Sequence, residues 1–149
     1  MGVNPEPPIE NTNLAERLRP VLLRAARHLR REAQRVGVSV LDAQLLMSIS
    51  KTPGIGGSEL ADREQVSRPS MSGHLKRLQA AGWITRDPVD HDDRRRVGVR
   101  LTEAGESALN SIRRTRNDWL AARLVRLTPE ERERLAAAIE PLARLTAIP

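Results

Sequence analysis

The periodicity of apolar residues switches over one short segment of this chain, and that switch constrains the fold more than any other feature. Before Gly82 and after Thr102, apolar side chains recur every three or four residues, as expected of amphipathic helices. Between these positions lie two short runs rich in β-branched residues, WITR and RVGVRLT, separated by a Pro- and Asp-rich loop at 87–93. Such runs are typical of a two-stranded hairpin. We therefore predict a mainly α chain with a small β-hairpin wing, an α+β fold.

Capping residues divide the helical part of the sequence into six predicted helices. The predicted N-caps are Asn13, Ser39, Ser58, Ser67, Thr102 and Thr128. Gly82 is expected to end the fourth helix. Pro20 and Pro141 fall inside the first and last helices, where we expect a kink or a break, or for Pro20 a later start. Residues 1–12 have few apolar side chains and are expected to form a flexible arm.

The order of the central elements, three short helices and then a hairpin, is that of a winged helix-turn-helix. This module is predicted at residues 37–101, between a first helix at 13–36 and two C-terminal helices at 102–149. The flanking helices each present a leucine stripe that the small module cannot cover. We expect these stripes to form a homodimer interface, because a large uncovered apolar surface usually marks an association site. A helical bundle within one chain is the alternative.

Composition restricts the partners of such a module. The chain has 25 Lys+Arg against 19 Asp+Glu, and all its cations except Lys51 and Lys76 are arginine, so nucleic acid is a plausible partner. Trp83 and Trp119 are the only aromatics, which leaves no stacking platform for single strands and favours duplex DNA. The absence of cysteine excludes disulfides and thiolate metal sites. With neither a secretory signal nor a membrane-length apolar run, the protein is expected in the cytoplasm and not in a membrane.

The helix that follows the tight turn is the one that such folds place in the major groove of DNA. Its predicted exposed side chains are small hydrogen-bond donors flanked by cations, as contact with bases and phosphates requires. They are Arg68, Ser70, Ser72, His74, Lys76 and Arg77. An ordinary amphipathic helix with a solvated polar face would show the same pattern, so that alternative stays open.

The hairpin tip carries acids on one arm and arginines on the other. The acids could orient neighbouring guanidinium groups while outward-facing arginines enter a narrow, electronegative minor groove. A metal or catalytic site at Asp90, His91, Asp92 and Asp93 is a second interpretation, but consecutive loop residues rarely converge on a metal. A merely solvated loop is a third. We expect no catalytic residue, metal or cofactor.

The segment LKRLQAAGWITRDPVDHDDRRRVGVRLTEAG resembles the MarR family of bacterial regulators, named for multiple antibiotic resistance. It contains the wing signature of that family, D-x-R followed by five residues and L-T, here Asp93 to Arg95 and then Leu101 and Thr102. The resemblance implies a homodimeric DNA-binding regulator, usually a repressor, that a small ligand releases from DNA. The alternatives are a winged-helix protein-interaction module without DNA binding, and an enzyme built around His91.

The resemblance also implies roles for the wing residues. Arg95 matches the arginine that enters the minor groove in the family, and Asp93 matches the acid that positions it. Arg94 and Arg96 would then contact phosphates.

In the recognition helix, Ser70 and Ser72 match base-contacting positions of the family, whereas Arg68 is assigned from its charge alone. The chain departs from the family at Gly73, where many members have a large polar residue, often arginine. A bidentate arginine–guanine contact contributes about 1–3 kcal/mol of discrimination, which glycine cannot supply.

A two-fold dimer sets its recognition helices roughly 34 Å apart, one turn of DNA, and therefore predicts a pseudo-palindromic operator. The resemblance places a small effector, anionic or aromatic, where the dimer helices meet the winged module. The candidates there are on the first helix: Arg24, Arg27, His28 and Arg31. A solvated helix face is the alternative for most of the arginines on this helix.

Overall fold

The computed structural model describes residues 9–88 and 97–147, which form six helices and three short strands. In chain order these are α1 (Ile9–Arg35), α2 (Val40–Lys51), β1 (Ile55–Gly56), α3 (Gly57–Arg63), α4 (Arg68–Ala80), β2 (Ile84–Pro88), β3 (Val97–Leu101), α5 (Glu103–Leu124) and α6 (Pro129–Ala147). The mainly helical fold with a small β wing, and the order of a winged helix-turn-helix, are confirmed.

The three strands form one antiparallel sheet in the order β1-β3-β2. The predicted hairpin is β2 and β3, paired from Ile84 opposite Leu101 to Pro88 opposite Val97. The sequence analysis missed β1, which pairs Ile55 with Val99, because two residues are too few to show an alternating pattern. This third strand ties the hairpin to the connection between α2 and α3.

Four predicted N-caps are confirmed, and in each the side-chain hydroxyl accepts a hydrogen bond from the backbone N–H three residues later. They are Ser39, Ser67, Thr102 and Thr128. At α6 the bond is reciprocal, since Glu131 accepts from the Thr128 backbone N–H at 2.9 Å. These ends were predictable because a capping bond involves only neighbouring residues.

Two other predicted starts were wrong. The first helix begins at Ile9, four residues before Asn13, so residues 9–12 belong to α1 and not to the expected arm. Residues 1–8 lie outside the described part of the chain. Ser58 is inside α3, whose N-cap is Gly56, because Gly56 is held extended by its pairing with Gly98.

The two helix prolines do not end their helices. Pro20 lies inside α1 and Pro141 inside α6, so the expected late start of α1 and the expected break of α6 were wrong. The other expectation, a kink at Pro20 and a bend at Pro141, stays a prediction. A proline removes one backbone hydrogen bond and costs about 3 kcal/mol. Helices of 27 and 19 residues have many other bonds that remain intact.

The core lies between α2, α3, α4, the sheet and the first half of α5. Leu45, Leu46 and Ile49 of α2 are fully buried there, together with Leu109 and Ile112 of α5. Helix α1 reaches this core only near its C-terminal end, and α6 has no buried residue in the described chain. The apolar stripe of α6 is therefore left largely uncovered in a single chain.

The first turn of α5 contacts the backbone that connects α4 to β2. That connection turns at Gly82, the predicted end of α4, which has a φ of +75°. The Thr102 hydroxyl donates to the Gly82 carbonyl, and the Thr102 backbone N–H donates to the Trp83 carbonyl at 3.0 Å. A Cβ atom added at Gly105 would stand 2.0 Å from the Trp83 oxygen, so only glycine allows this approach.

We predict that Gly105→Ala lowers the free energy of unfolding by about 3 kcal/mol, because the added methyl group must push two backbone segments apart. Denaturant titration followed by circular dichroism would measure the loss. Ser107→Ala, an exposed change on the same helix, is the control and should stay within about 0.5 kcal/mol. An unchanged unfolding midpoint in Gly105→Ala would contradict this close contact.

Candidate nucleic-acid interface

Helix α4 presents its predicted site residues on two flanks. Its apolar stripe, Met71, Leu75 and Leu78, is buried against the core. Arg68, Ser70, Lys76 and Arg77 are exposed, and Ser72 and His74 are half-buried. Three-residue and four-residue spacings place Ser70, His74 and Arg77 on the flank toward α2, and Arg68 with Ser72 on the flank toward the sheet.

On the α2 flank, Arg77 joins two helices. Its Nη2 atom lies 2.6 Å from Oδ1 of Asp42, a buried residue in the first turn of α2, and 2.7 Å from Nδ1 of His74. Because Asp42 is buried and its position in α2 is fixed by the core, this ion pair fixes the rotation of α4 about its own axis. No local pattern in the sequence indicates that Asp42 pairs with a residue 35 positions away.

On the sheet flank, α4 borders a cleft of about 780 Å³. Arg68 and Ser72 line it from α4, Arg86 from β2, and Ser58 from α3. Glu59 also lines the cleft, but its carboxylate is paired with Arg63 at 3.0 Å. The two guanidinium groups and two hydroxyls make a surface suited to phosphate and base-edge contacts. Arg86 was not among the predicted site residues, because only the pairing of β2 with β3 brings it beside α4.

Between the two flanks runs an outward ridge that has little side-chain bulk over the first half of α4, before Lys76. Pro69 and Gly73 lie on it, and a Cβ atom added at Gly73 would meet nothing within 4 Å. The backbone of α4 can therefore approach a flat partner closely along this line.

The predicted wing residues Asp93, Arg94, Arg95 and Arg96 lie outside the described residues, as does the cluster at 90–93 considered for a metal. The strands that lead into this segment end at Pro88 and Val97, and Val97 lines the cleft beside α4. The start of β3 at Val97 therefore lies at the edge of the α4 surface.

The predicted effector residues share one face of α1 but have different surroundings. Arg24, Arg27 and Arg31 are exposed. His28 is half-buried and stacks on Trp119 of α5, with ring centroids 5.3 Å apart. The Arg123 guanidinium lies 3.8 Å from the centre of the same indole ring, a cation–π contact.

Beside this stack lies Arg116, which the sequence analysis did not single out. Its Nε donates to the Leu29 carbonyl at 3.0 Å, and its Nη1 lies 3.5 Å from the Met47 sulfur. Burial lowers the pKa of Arg116 because the charged guanidinium loses contact with water. No carboxylate pairs with it among the described residues. Nothing in the sequence separates this arginine from the many others.

Within residues 9–88 and 97–147, no three His, Asp or Glu side chains converge in a way that could hold a metal ion. None of the helices described there has the length and apolarity needed to cross a membrane.

Known proteins share both the sequence pattern and the fold. Residues 36–95 match the model of the MarR family. An HTH-type transcriptional regulator of Mycobacterium tuberculosis is 31% identical over 135 residues, which cover 91% of this chain and 94% of that protein. The chain belongs to the MarR family. This MarR-family protein is a DNA-binding transcriptional regulator.

Solved structures agree with this assignment. A Pseudomonas aeruginosa PA01 protein assigned as a transcriptional regulator is 31% identical and superposes with a TM-score of 0.80, covering 96% of this chain and 100% of that one. A MepR variant of Staphylococcus aureus, bound to an oligodeoxyribonucleotide, has a TM-score of 0.67 at 18% identity, over 89% of this chain and 97% of that one. At 18% identity, this similarity shows a shared fold only.

We predict that Gly73→Ala stabilises the MarR-family chain but weakens its DNA binding. Alanine in an exposed helix interior is about 0.5–1 kcal/mol more favourable than glycine, and here its Cβ meets no neighbour. The same methyl group would lie on the ridge that we predict to face DNA. Denaturant titration and fluorescence anisotropy on a duplex would measure the two effects. Stabilisation with full DNA affinity would show that the ridge does not approach DNA closely.

Proposed function

We propose that this MarR-family regulator is a homodimeric repressor that binds a pseudo-palindromic operator and is released by a small anionic or aromatic effector. The α4 surface carries the proposal, because it combines a rigidly held helix, a low ridge and cations on both flanks. The protein acts in the cytoplasm, and no enzymatic step is part of the proposal. Residues 37–101 bind DNA, and the helices at 13–36 and 102–149 form the dimer, with α1 extended back to Ile9.

In the proposed complex α4 lies in the major groove and the wing follows the adjacent minor groove. Ser70, Ser72 and His74 face bases, while Arg68, Lys76 and Arg77 face phosphates or hold their neighbours in place. Arg95, oriented by Asp93, enters the minor groove between the phosphate contacts of Arg94 and Arg96. The MepR variant bound to an oligodeoxyribonucleotide supports this mode through its shared fold.

The dimer proposal rests on apolar side chains that a single chain leaves uncovered. On α1, Leu14 and Val21 are 59% and 60% exposed, although they continue the stripe that is buried farther along the helix. On α6, Leu135, Ile139 and Leu145 are all about half exposed or more. Apolar stripes on helices at both ends of the chain are suited to pairing with a second copy.

The effector proposal rests on the junction of α1, α2 and α5. Arg116 places a half-buried positive charge there without a carboxylate partner in the described chain, and an anionic ligand would supply the missing charge. The ring of Trp119 and the side chain of His28 lie along the same two helices, so an aromatic acid matches the local chemistry. Arg24, Arg27 and Arg31 would attract such an anion from solution.

A protein-interaction module without DNA binding is the alternative function. The basic side chains around α4 count against it, because an interaction module has no physical need for cations on both flanks of this helix. The two functions differ in whether specific duplex sequences are bound.

Selection from genomic DNA tests the proposed function. Purified protein should recover, at near-physiological salt, a small set of duplexes that share two half-sites about ten base pairs apart, centre to centre. Specific affinity in the range of about 10⁻⁸–10⁻¹¹ M is expected for such sites. Recovery of unselected DNA, or of none, would favour the interaction module.

The dimer contribution is tested with Ile139→Asp, which places a carboxylate in the middle of the exposed α6 stripe. We expect a monomer by sedimentation, with operator affinity weakened about 100-fold or more because the two half-sites are no longer bound together. Ala137→Asp, an exposed change on the opposite side of α6, should remain dimeric. A dimeric Ile139→Asp protein would place the interface elsewhere.

The effector site is tested with Arg116→Met, using salicylate and benzoate as probes. The variant should bind operator but should no longer be released by concentrations that release the wild type, because the cation that holds the carboxylate is missing. Arg113→Met removes an exposed arginine of the same helix and should keep the response. Release of the Arg116→Met protein at wild-type concentrations would exclude Arg116 from the site.

A further inference from the structure

The contacts of one nitrogen atom determine the chemical form of His74. Nη2 of Arg77 carries two hydrogen atoms, and it has two partners, Oδ1 of Asp42 at 2.6 Å and Nδ1 of His74 at 2.7 Å. A guanidinium group can only donate hydrogen bonds. Nδ1 of His74 must therefore accept, so it carries no proton in this arrangement.

An imidazole whose Nδ1 accepts a hydrogen bond is the neutral tautomer with its proton on Nε2. Asp42 does not compete for the ring, because its Oδ1 lies 3.8 Å from Nδ1, beyond hydrogen-bond distance. The chain Asp42–Arg77–His74 thus fixes both the orientation of the imidazole and the position of its proton.

Nε2, the nitrogen that carries the proton, is available to donate a hydrogen bond to a ligand. Nε2 of His74 has no hydrogen-bond partner among the described residues, and it is not one of the buried polar atoms without a partner, so it is open to solvent. His74 lies on α4 between Ser70 and Arg77, beside the low ridge at Gly73. The N–H group is therefore on the surface assigned to DNA.

We propose that His74 is a specificity-determining residue that donates one hydrogen bond from Nε2 to an acceptor on a base edge, and that Asp42 and Arg77 are its positioning residues. This inference rests on the proposed function as a sequence-specific DNA binder. The acceptors that a neutral N–H can read in the major groove are N7 and O6 of guanine, N7 of adenine and O4 of thymine.

The low ridge favours a base edge over a phosphate as the acceptor. With Pro69 and Gly73 on its outward side, the first half of α4 can lie deep in the groove, which brings its half-buried flank residues beside the bases. The cations Arg68 and Lys76 are better suited to phosphates, since they attract a negative charge and the neutral imidazole does not.

The tautomer is measured without DNA, by long-range ¹H–¹⁵N correlation on the full-length protein at pH 8.5. His74 should show a protonated Nε2 and an unprotonated Nδ1, with its signals assigned by their loss in His74→Gln. In Asp42→Asn the weakened hold on Arg77 should turn this single tautomer into a mixture. A proton on Nδ1 in the wild type would overturn the proposal, and an unchanged spectrum in Asp42→Asn would overturn the role of Asp42.

The contact with DNA is measured by anisotropy and by selection from duplexes with randomised half-sites. His74→Leu should lose about 3- to 10-fold in affinity for each half-site, the effect of one hydrogen bond, and should lose base preference at one position of each half-site. Gln79→Leu, on the exposed end of the same helix, is the control. His74→Gln should recover the preference, because its amide can place an N–H near the position of Nε2.

The outcomes separate this inference from the proposed function. If the wild type shows no preference among duplex sequences, the proposed function is wrong. The tautomer of His74, measured without DNA, is not affected by that outcome. If the wild type is specific but His74→Leu keeps its affinity and preference, the role of His74 is overturned. A uniform loss over all duplexes with unchanged preference would assign the donor to a phosphate and would also overturn the specificity role.

Discussion

The close approach between the first turn of α5 and the Trp83 carbonyl is the contact on which the arrangement of the two halves of this protein depends. It exists because Thr102 caps α5 and hydrogen-bonds to the preceding turn, and because Gly105 has no side chain to hold the backbones apart. Helix α5 therefore begins against the end of α4. The bonds from Thr102 to Gly82 and Trp83 hold the start of α5 against the turn that follows α4.

Helix α4 is held at three points along its length. Ser67 caps its start, the Arg77–Asp42 ion pair anchors its last turn to α2, and the Gly82–Trp83 turn follows its end. The preceding turn is also restrained, since the Ser48 hydroxyl donates to Glu64 across from α2. A helix fixed in this way loses little conformational entropy when it binds, which favours selectivity between related sequences.

The parts of this structure that could be predicted from sequence are those that neighbouring residues determine. The caps at Ser67 and Thr102 and the strands of the hairpin follow from local patterns. The starts of α1 and α3 could not be predicted in this way. The start of α3 depends on Gly56 being held in a sheet by β3, which lies much farther along the chain.

The residue types of the candidate site could be predicted from the sequence, but the contacts between those residues could not. The sequence identified His74 and Arg77 as polar residues on one helix, yet their roles depend on Asp42, which approaches only in the folded chain. Arg116 is a clearer case, because its partners Leu29 and Met47 are 87 and 69 residues away. Long-range packing, which no local pattern encodes, distinguishes these side chains from other arginines and acids.

The two tryptophans can serve as intrinsic fluorescent probes, because each lies at a junction between helices. There is no tyrosine, so near-ultraviolet absorption and emission come from indole alone. Trp119 stacks on His28 and beneath Arg123 where α1 meets α5, and Trp83 lies where α4, β2 and α5 meet. Each of these two helix junctions thus contains one fluorophore. Replacing either indole leaves a single-probe protein, whose emission wavelength and quenching follow one junction at a time without any attached dye.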